Sequence, residues 1–309
     1  MIEVQNLTKR YGEKVAVEDL TFTVRPGIVT GFLGPNGAGK STTMRMLLGL
    51  DEPTSGTVLV NRKPYRELDA PLHAVGAMLE ARAIHTGRSA YNHLLAMAQT
   101  QGIGKARVNE VIDLVGLTGV ARQRAGGFSL GMGQRLGIAS ALLGDPGIVI
   151  LDEPANGLDP EGILWIRTLL RQLAEEGRTV FLSSHLMSEM ALTAQHLVIV
   201  GRGRLIADTT VDEVVAQASA HAAVRVRAPQ PDALRAALTG SGADIVAAEG
   251  GGLEVRGLAA ERIGELAAAK RVVLHELTPQ RASLEDAYMA LTGDSVEYRT
   301  STPRLEIAA

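Results

Sequence analysis

The chain has 309 residues, a formal charge of −3 and no cysteine, so it is long enough for one large domain and a small one, while disulfides and thiolate metal sites are excluded. That charge gives no general electrostatic ground for binding nucleic acid, and none is expected as a partner. Apolar runs such as Ile148 to Leu151 fall far short of the roughly 18 to 20 residues of a membrane helix, and MIEVQNLTKRYG lacks the basic-then-apolar pattern of a signal peptide, which predicts a mature chain starting near Met1 and staying inside the cell.

From Ile2 to about Ala218, short β-branched stretches alternate with helix-period segments. TFTV and IVTGFL read as strands, TTMRMLLGL as a helix, and HAVGAML, IVILD and TVFLSS as further strands. Such alternation predicts a mainly parallel sheet covered by helices. Between about Ser89 and Val120 the pattern changes: YNHLLAMAQT and RVNEVIDLVGL are helical with no strand between them, and they read as an insert. FSLGMGQR, Phe128 to Arg135, then precedes the helical run LGIASALL. Ser129 suits an N-cap, but glycine weakens a helix interior by roughly 1 kcal/mol relative to alanine, so the glycines at this entrance need another reason.

After about Ser219, the segments AAVRVRA, PDALRAAL, ADIVAAE, GLEVRG, ERIGELAAAK and RVVLHEL read as strand, helix, strand, strand, helix, strand, with EGGG as the turn between the middle strands. That order predicts a small ferredoxin-like α+β unit. LEDAYMAL adds a helix, and the last residues read as a flexible tail.

The strongest chemical signal is GPNGAGKS, Gly34 to Ser41, directly after the apolar strand IVTGFL. Backbone N–H groups of such a loop close around a β-phosphate only where side chains are absent, hence Gly34, Gly37 and Gly39. Lys40 brings a positive charge to the β- and γ-phosphates, Ser41 offers a hydroxyl to Mg²⁺, and the following helix points its positive end at the anion. GIVILDEP, Gly147 to Pro154, is the second element. A buried strand ending in Asp152 puts a carboxylate where a phosphate-bound Mg²⁺ needs an oxygen ligand, and Glu153 can polarise the attacking water.

On these motifs the chain resembles the ATP-binding cassette ATPases that drive ABC transporters, over about Met1 to Ala218, with seven motifs in order. The resemblance implies an α/β P-loop NTPase cassette with an antiparallel N-terminal β part and a helical insert (1–218, insert about 85–145), followed by a small α+β domain (219–294) and a tail (295–309). It implies that Tyr11 stacks on adenine and that Gly34, Pro35, Asn36, Gly37, Ala38, Gly39, Lys40, Ser41 and Thr42 hold the phosphates of ATP. Ser41, Asp152 and Glu80 become the Mg²⁺ ligands, Glu80 standing where the family usually has glutamine. Glu153 becomes the catalytic glutamate, and His185 the residue that contacts the γ-phosphate and the water. Ser129 and Gly131, in the LSGGQ-type stretch where Leu130 and Met132 depart from the usual pattern, and Asp159 in NGLD would reach the ATP of a second cassette. That reading gives the FSLGMGQR glycines a role: no Cβ blocks the phosphate.

The implied partners are a second cassette, identical or related, and an integral membrane permease. The cassette would sit in the cytoplasm, held peripherally on the inner face of the membrane. The C-terminal unit and LEDAYMALTG resemble the appendage of bacterial drug-resistance and lantibiotic-type exporters. One P-loop argues against a twin-cassette translation factor, and the short insert without sustained heptads against a DNA-repair cassette. A soluble or regulatory cassette not coupled to transport stays open as an alternative.

Overall fold

The computed structural model describes residues 1–80, 83–219, 223–248, 252–280 and 282–292. They pack as two units, the first Met1–Val211 and the second Asp212–Leu291.

In the first unit, β1 (Ile2–Tyr11) and β2 (Lys14–Val24) pair antiparallel. Next come β3 (Val29–Leu33), α1 (Lys40–Leu47) and β4 (Ser55–Val60), which returns to pair with β1 and completes a sheet of order β2-β1-β4. The chain continues through α2 (Pro71–Ala74), β5 (Val75–Met78) and three successive helices, α3 (Ala90–Thr100), α4 (Lys105–Leu114) and α5 (Leu130–Leu142). Then follow β6 (Ile148–Leu151), α6 (Pro160–Glu175), β7 (Thr179–Ser183), α7 (Met187–Thr193), β8 (His196–Gly201) and β9 (Arg204–Thr210).

The second sheet has the order β5-β6-β7-β3-β8-β9, parallel except for β9. Every residue of β3, β6 and β7 is buried, as parallel strands covered on both faces require. These three are neighbours, so the loops after their carboxyl ends converge; ligands of open α/β sheets bind there. Three of the chain's four phenylalanines lock the two sheets together. Phe22 of β2 stacks on Phe32 of β3 and Phe181 of β7, with centroids 5.8 and 5.9 Å apart.

Several boundaries differ from the expected ones, among them the start of α5 at Leu130, inside FSLGMGQR. The helix expected from Thr42 starts at Lys40, because glycine at its N-cap lets the loop turn straight into helix. HAVGAML opens in helix, since Pro71 starts a single turn that holds His73 and Ala74 before β5 begins.

The second unit begins within α8 (Val211–Ser219) and contains β10 (Val224–Arg227), α9 (Pro231–Leu238), β11 (Asp244–Ala248), β12 (Gly252–Arg256), α10 (Ala260–Ala269), β13 (Glu276–Pro279) and α11 (Leu284–Thr292). Its antiparallel sheet has the order β11-β12-β10-β13. Val224, Val226, Leu253 and Val255 pack on Leu234, Leu238 and Ile263 of α9 and α10. The expected strand RVVLHEL is a correction: only its last two residues belong to β13. Arg271 takes a positive φ of 55°, and the Val272 N–H donates to Ala267 O, so the start of that stretch closes α10 instead of pairing in the sheet. The first three residues of the EGGG turn, 249–251, and the tail lie outside the described residues, and the last glycine of EGGG, Gly252, opens β12.

Candidate functional site

A cleft of about 420 Å³ opens at the carboxyl ends of β3 and β6, within the usual range for ligand pockets. It is lined by Tyr11, Asn36, Gly37, Ala38, Gly39, Lys40, Ser41, Thr42, Asp152 and Glu153, all expected from sequence, and by Lys14 and Ala16, which were not. Gly39 has φ 95°, and a Cβ there would come within 2.5 Å of Ala16 O, so no other residue fits the turn. Gly39 caps α1 without a side chain, and the first turn carries no acid; α3, α5 and α6 are instead capped by Ser89, Ser129 and Asp159. The first-turn N–H groups of α1 are therefore left for an anion. Lys40 Nζ donates to Gly34 O at 2.5 Å and Pro35 O at 3.2 Å, which folds the side chain back over the loop. Burial lowers the Lys40 pKa from its ordinary value, and the nearby Glu153 and Asp152 carboxylates only partly oppose this. A half-buried cation whose hydrogen bonds go only to neutral carbonyls is suited to a polyanion.

The acidic side of the cleft is organised by a residue that sequence reasoning missed. Ser183, fully buried at the end of β7, donates to Asp152 Oδ1 and accepts from the Glu153 N–H at 3.0 Å. Asp152 Oδ2 accepts from Ser41 Oγ at 2.9 Å. Glu153 has φ 50°, unusual for a residue with a side chain, and three contacts besides Ser183 hold it there. Its carbonyl accepts from Gln134 Nε2 at 3.0 Å, its Oε2 accepts from the His185 N–H at 3.2 Å, and His185 Nδ1 lies 2.7 Å from the same oxygen. The structure thus brings Glu153 and His185 together. Gln134, buried on α5, stands in the quoted FSLGMGQR but pairs only through the fold. The signal for Ser183 was its place two residues before His185, on the strand beside that of Asp152.

Ser41 and Asp152 offer two hard oxygens side by side, and among the described residues no group of three or more His, Cys, Asp or Glu could hold a metal ion. That donor set fits an ion that keeps most of its ligands from water and phosphate, as Mg²⁺ does. Glu80 is exposed just beyond β5, one strand over from Asp152, and its field is one of several that raise the Arg45 pKa, the hydrogen bond to Asp51 being the largest. Tyr11 is about half exposed, and its hydroxyl donates to Asp51 Oδ2 at 3.0 Å.

Ser129, Leu130 and Gly133 line another cleft, together with Ile84, Thr86, Ala125, Gly126 and Phe128; none of these residues lines the first. Ser129 is exposed and accepts from the Met132 N–H at 3.2 Å. A Cβ on Gly131 would come within 2.9 Å of Gly157 O, so close packing against NGLD already demands glycine there. Asp159 caps α6 through the Gly162 N–H at 2.8 Å. Arg135 lies over the Trp165 ring at 4.4 Å and donates to Val115 O.

A model of the ABC transporter family matches residues 17–156, and one of a domain of unknown function, DUF8746, matches 222–285. The chain is 38% identical over 304 residues to YhcH of Bacillus subtilis (strain 168), an uncharacterized ABC transporter ATP-binding protein, covering 96% of this chain and 97% of that one. It is 42% identical over 217 residues to the bacitracin transport ATP-binding protein BcrA of Bacillus licheniformis, covering 69% and 71%. Against the lantibiotic transport ATP-binding protein SrtF of Streptococcus pyogenes it is 35% identical over 212 residues, covering 69% and 92%. Among solved structures, an ATP-binding subunit of an ABC transporter superposes with TM-score 0.65 at 28% identity, over 70% of this chain and 92% of that one. The chain belongs to the ATP-binding proteins of ABC transporters and is an ATPase of that family.

Proposed function

We propose that two such cassettes, identical or related, enclose two ATP molecules head to tail and drive an exporter of peptide antibiotics whose membrane-spanning subunits are separate chains. The observation that carries this reading is the division of the phosphate-handling residues: Lys40, Ser41, Asp152 and Glu153 share one cleft, while Ser129, at the exposed start of α5, lines another. A serine there does nothing for its own chain's nucleotide and is suited to a partner's. The bacitracin and lantibiotic transport proteins among the relatives support the export class. No helix among the described residues is long and apolar enough to cross a membrane, and attachment to the inner face through a permease follows from the family.

In this reading the Lys40 ammonium turns from the Gly34 and Pro35 carbonyls to the β- and γ-phosphates, and the N–H groups at the start of α1 receive the β-phosphate. Ser41 and Asp152 would hold Mg²⁺, with Glu80 as a further oxygen ligand, and the ion would draw charge from the phosphate oxygens. Glu153 accepts a proton from water as the water oxygen bonds to the γ-phosphorus and the bond to the ADP oxygen breaks. His185, 2.7 Å from Glu153, steadies that carboxylate beside the γ-phosphate.

Mixing Lys40→Ala chains with Ser129→Ala chains tests the shared site. Each homodimer has two damaged sites, whereas a mixed dimer has one doubly damaged site and one wholly intact. ATP turnover of the equimolar mixture should exceed that of either variant alone. A mixture that only averages the two variants contradicts the shared site.

A further inference from the structure

We infer that Asp51, clamped by Arg45, is the positioning residue that orients Tyr11 for the adenine ring; this rests on the reading of Tyr11 as the base platform. An aromatic side chain about half exposed at a cleft mouth has little packing to fix its rotamer, and ordering it costs entropy each time a base binds. Here the hydroxyl is tied down: it donates to Asp51 Oδ2 at 3.0 Å. Asp51 is itself held by a two-pronged contact, Arg45 Nε donating to Oδ2 at 2.8 Å and Nη2 to Oδ1 at 3.1 Å. A guanidinium fork fixes the plane of a carboxylate as a single lysine contact would not.

The position of Arg45 makes this more than a local tether. Lys40 opens α1 and Arg45 lies five residues on, about 7.5 Å along the axis at 1.5 Å per residue. One short helix therefore carries both the phosphate lysine and the arginine that sets the ring, and fixes the distance between the two ends of the nucleotide. Lys9 completes the mount: its Nζ lies 4.9 Å from the Tyr11 ring centroid and donates to Glu52 O, one residue beyond Asp51. One face of the ring is thereby occupied, and the base stacks on the other.

The test compares ATP with tripolyphosphate, which has the phosphates but no base, each bound with Mg²⁺ to the full chain by titration calorimetry. Tyr11→Ala should weaken ATP about tenfold, within the range of aromatic–base stacking. Tyr11→Phe, which keeps the ring and removes only the hydroxyl, and Asp51→Ala should each weaken ATP about threefold. Because both act through one contact, the double variant should also lose about threefold and not ninefold. Tripolyphosphate should bind all four variants as it binds the parent. Parental ATP affinity in Tyr11→Ala would remove the platform reading and this inference with it. A loss in Tyr11→Ala with none in Tyr11→Phe or Asp51→Ala would leave the platform and overturn the role of Asp51. Equal loss of ATP and tripolyphosphate in Asp51→Ala would also overturn it, by showing that the carboxylate supports the phosphate loop and not the ring.

Discussion

Ser183→Ala removes one oxygen atom from the interior and should cost both stability and rate. The hydroxyl donates to a carboxylate and accepts from the Glu153 N–H, in a side chain with no exposed surface. An orphaned buried N–H costs about 1 to 3 kcal/mol, and losing a hydrogen bond to a charged group about 1.5 to 3. Asp152 keeps Ser41 as a donor and its own N–H keeps Met78 O, so the sum should fall short of additive, at about 2 to 4 kcal/mol. At about 2 to 4 °C per kcal/mol for a domain of this size, the melting point should drop by about 4 to 16 °C. The rate effect comes from geometry. A left-handed backbone at a non-glycine residue costs about 1 to 3 kcal/mol and persists only where its surroundings over-determine it; without the Ser183 anchor Glu153 can relax. A shift near 1 Å at such a group costs about 100-fold in rate. Thermal melting and steady-state phosphate release with saturating ATP measure both quantities on one preparation. A variant that loses the expected stability but hydrolyses ATP at the parental rate would refute the positioning role.

Burial holds the Lys40 pKa below 10.5 in the free protein, and a triphosphate on the ammonium raises it. In the alkaline window between those limits ATP binding should take up a proton, and affinity should fall as pH rises. Calorimetry in two buffers of different ionisation enthalpy detects the uptake, which Lys40→Met should abolish. Without ATP the sign is opposite for folding: the unfolded chain binds more protons in that window, so this lysine's contribution to stability rises with pH. Glu80→Ala should keep ATP binding, lower hydrolysis and lower transport by a larger factor in the complete transporter. Parental transport and parental Mg²⁺ dependence would show that Glu80 is neither ligand nor coupler.

What could be read from the sequence was what the chain encodes within a few consecutive residues. The loop from Gly34 to Ser41 needs glycines, a lysine and a hydroxyl at fixed spacing between a strand and a helix, and all of these are local. Gln134 was out of reach, and Ser183 was marked only by its place two residues before His185, because each acquires its role across 19 to 31 residues through the fold. Gly131 shows a second kind of limit. The nearby NGLD loop forbids a Cβ there within the chain itself, so a glycine expected for a partner's phosphate also has a purely internal cause. The strand expected at RVVLHEL began late for a backbone reason: β-branched residues suggested pairing, but the positive φ of Arg271 diverted them to end a helix.

Replacing Glu153 by Gln tests its role as the base most directly, since it keeps shape and hydrogen bonding and removes the basic oxygen. Glu153→Gln should bind ATP as the parent does, hydrolyse it about 100-fold or more slowly, as expected for loss of a general base, and accumulate an ATP-bound dimer visible by light scattering. A variant that stays monomeric with ATP and turns over at the parental rate would contradict that role.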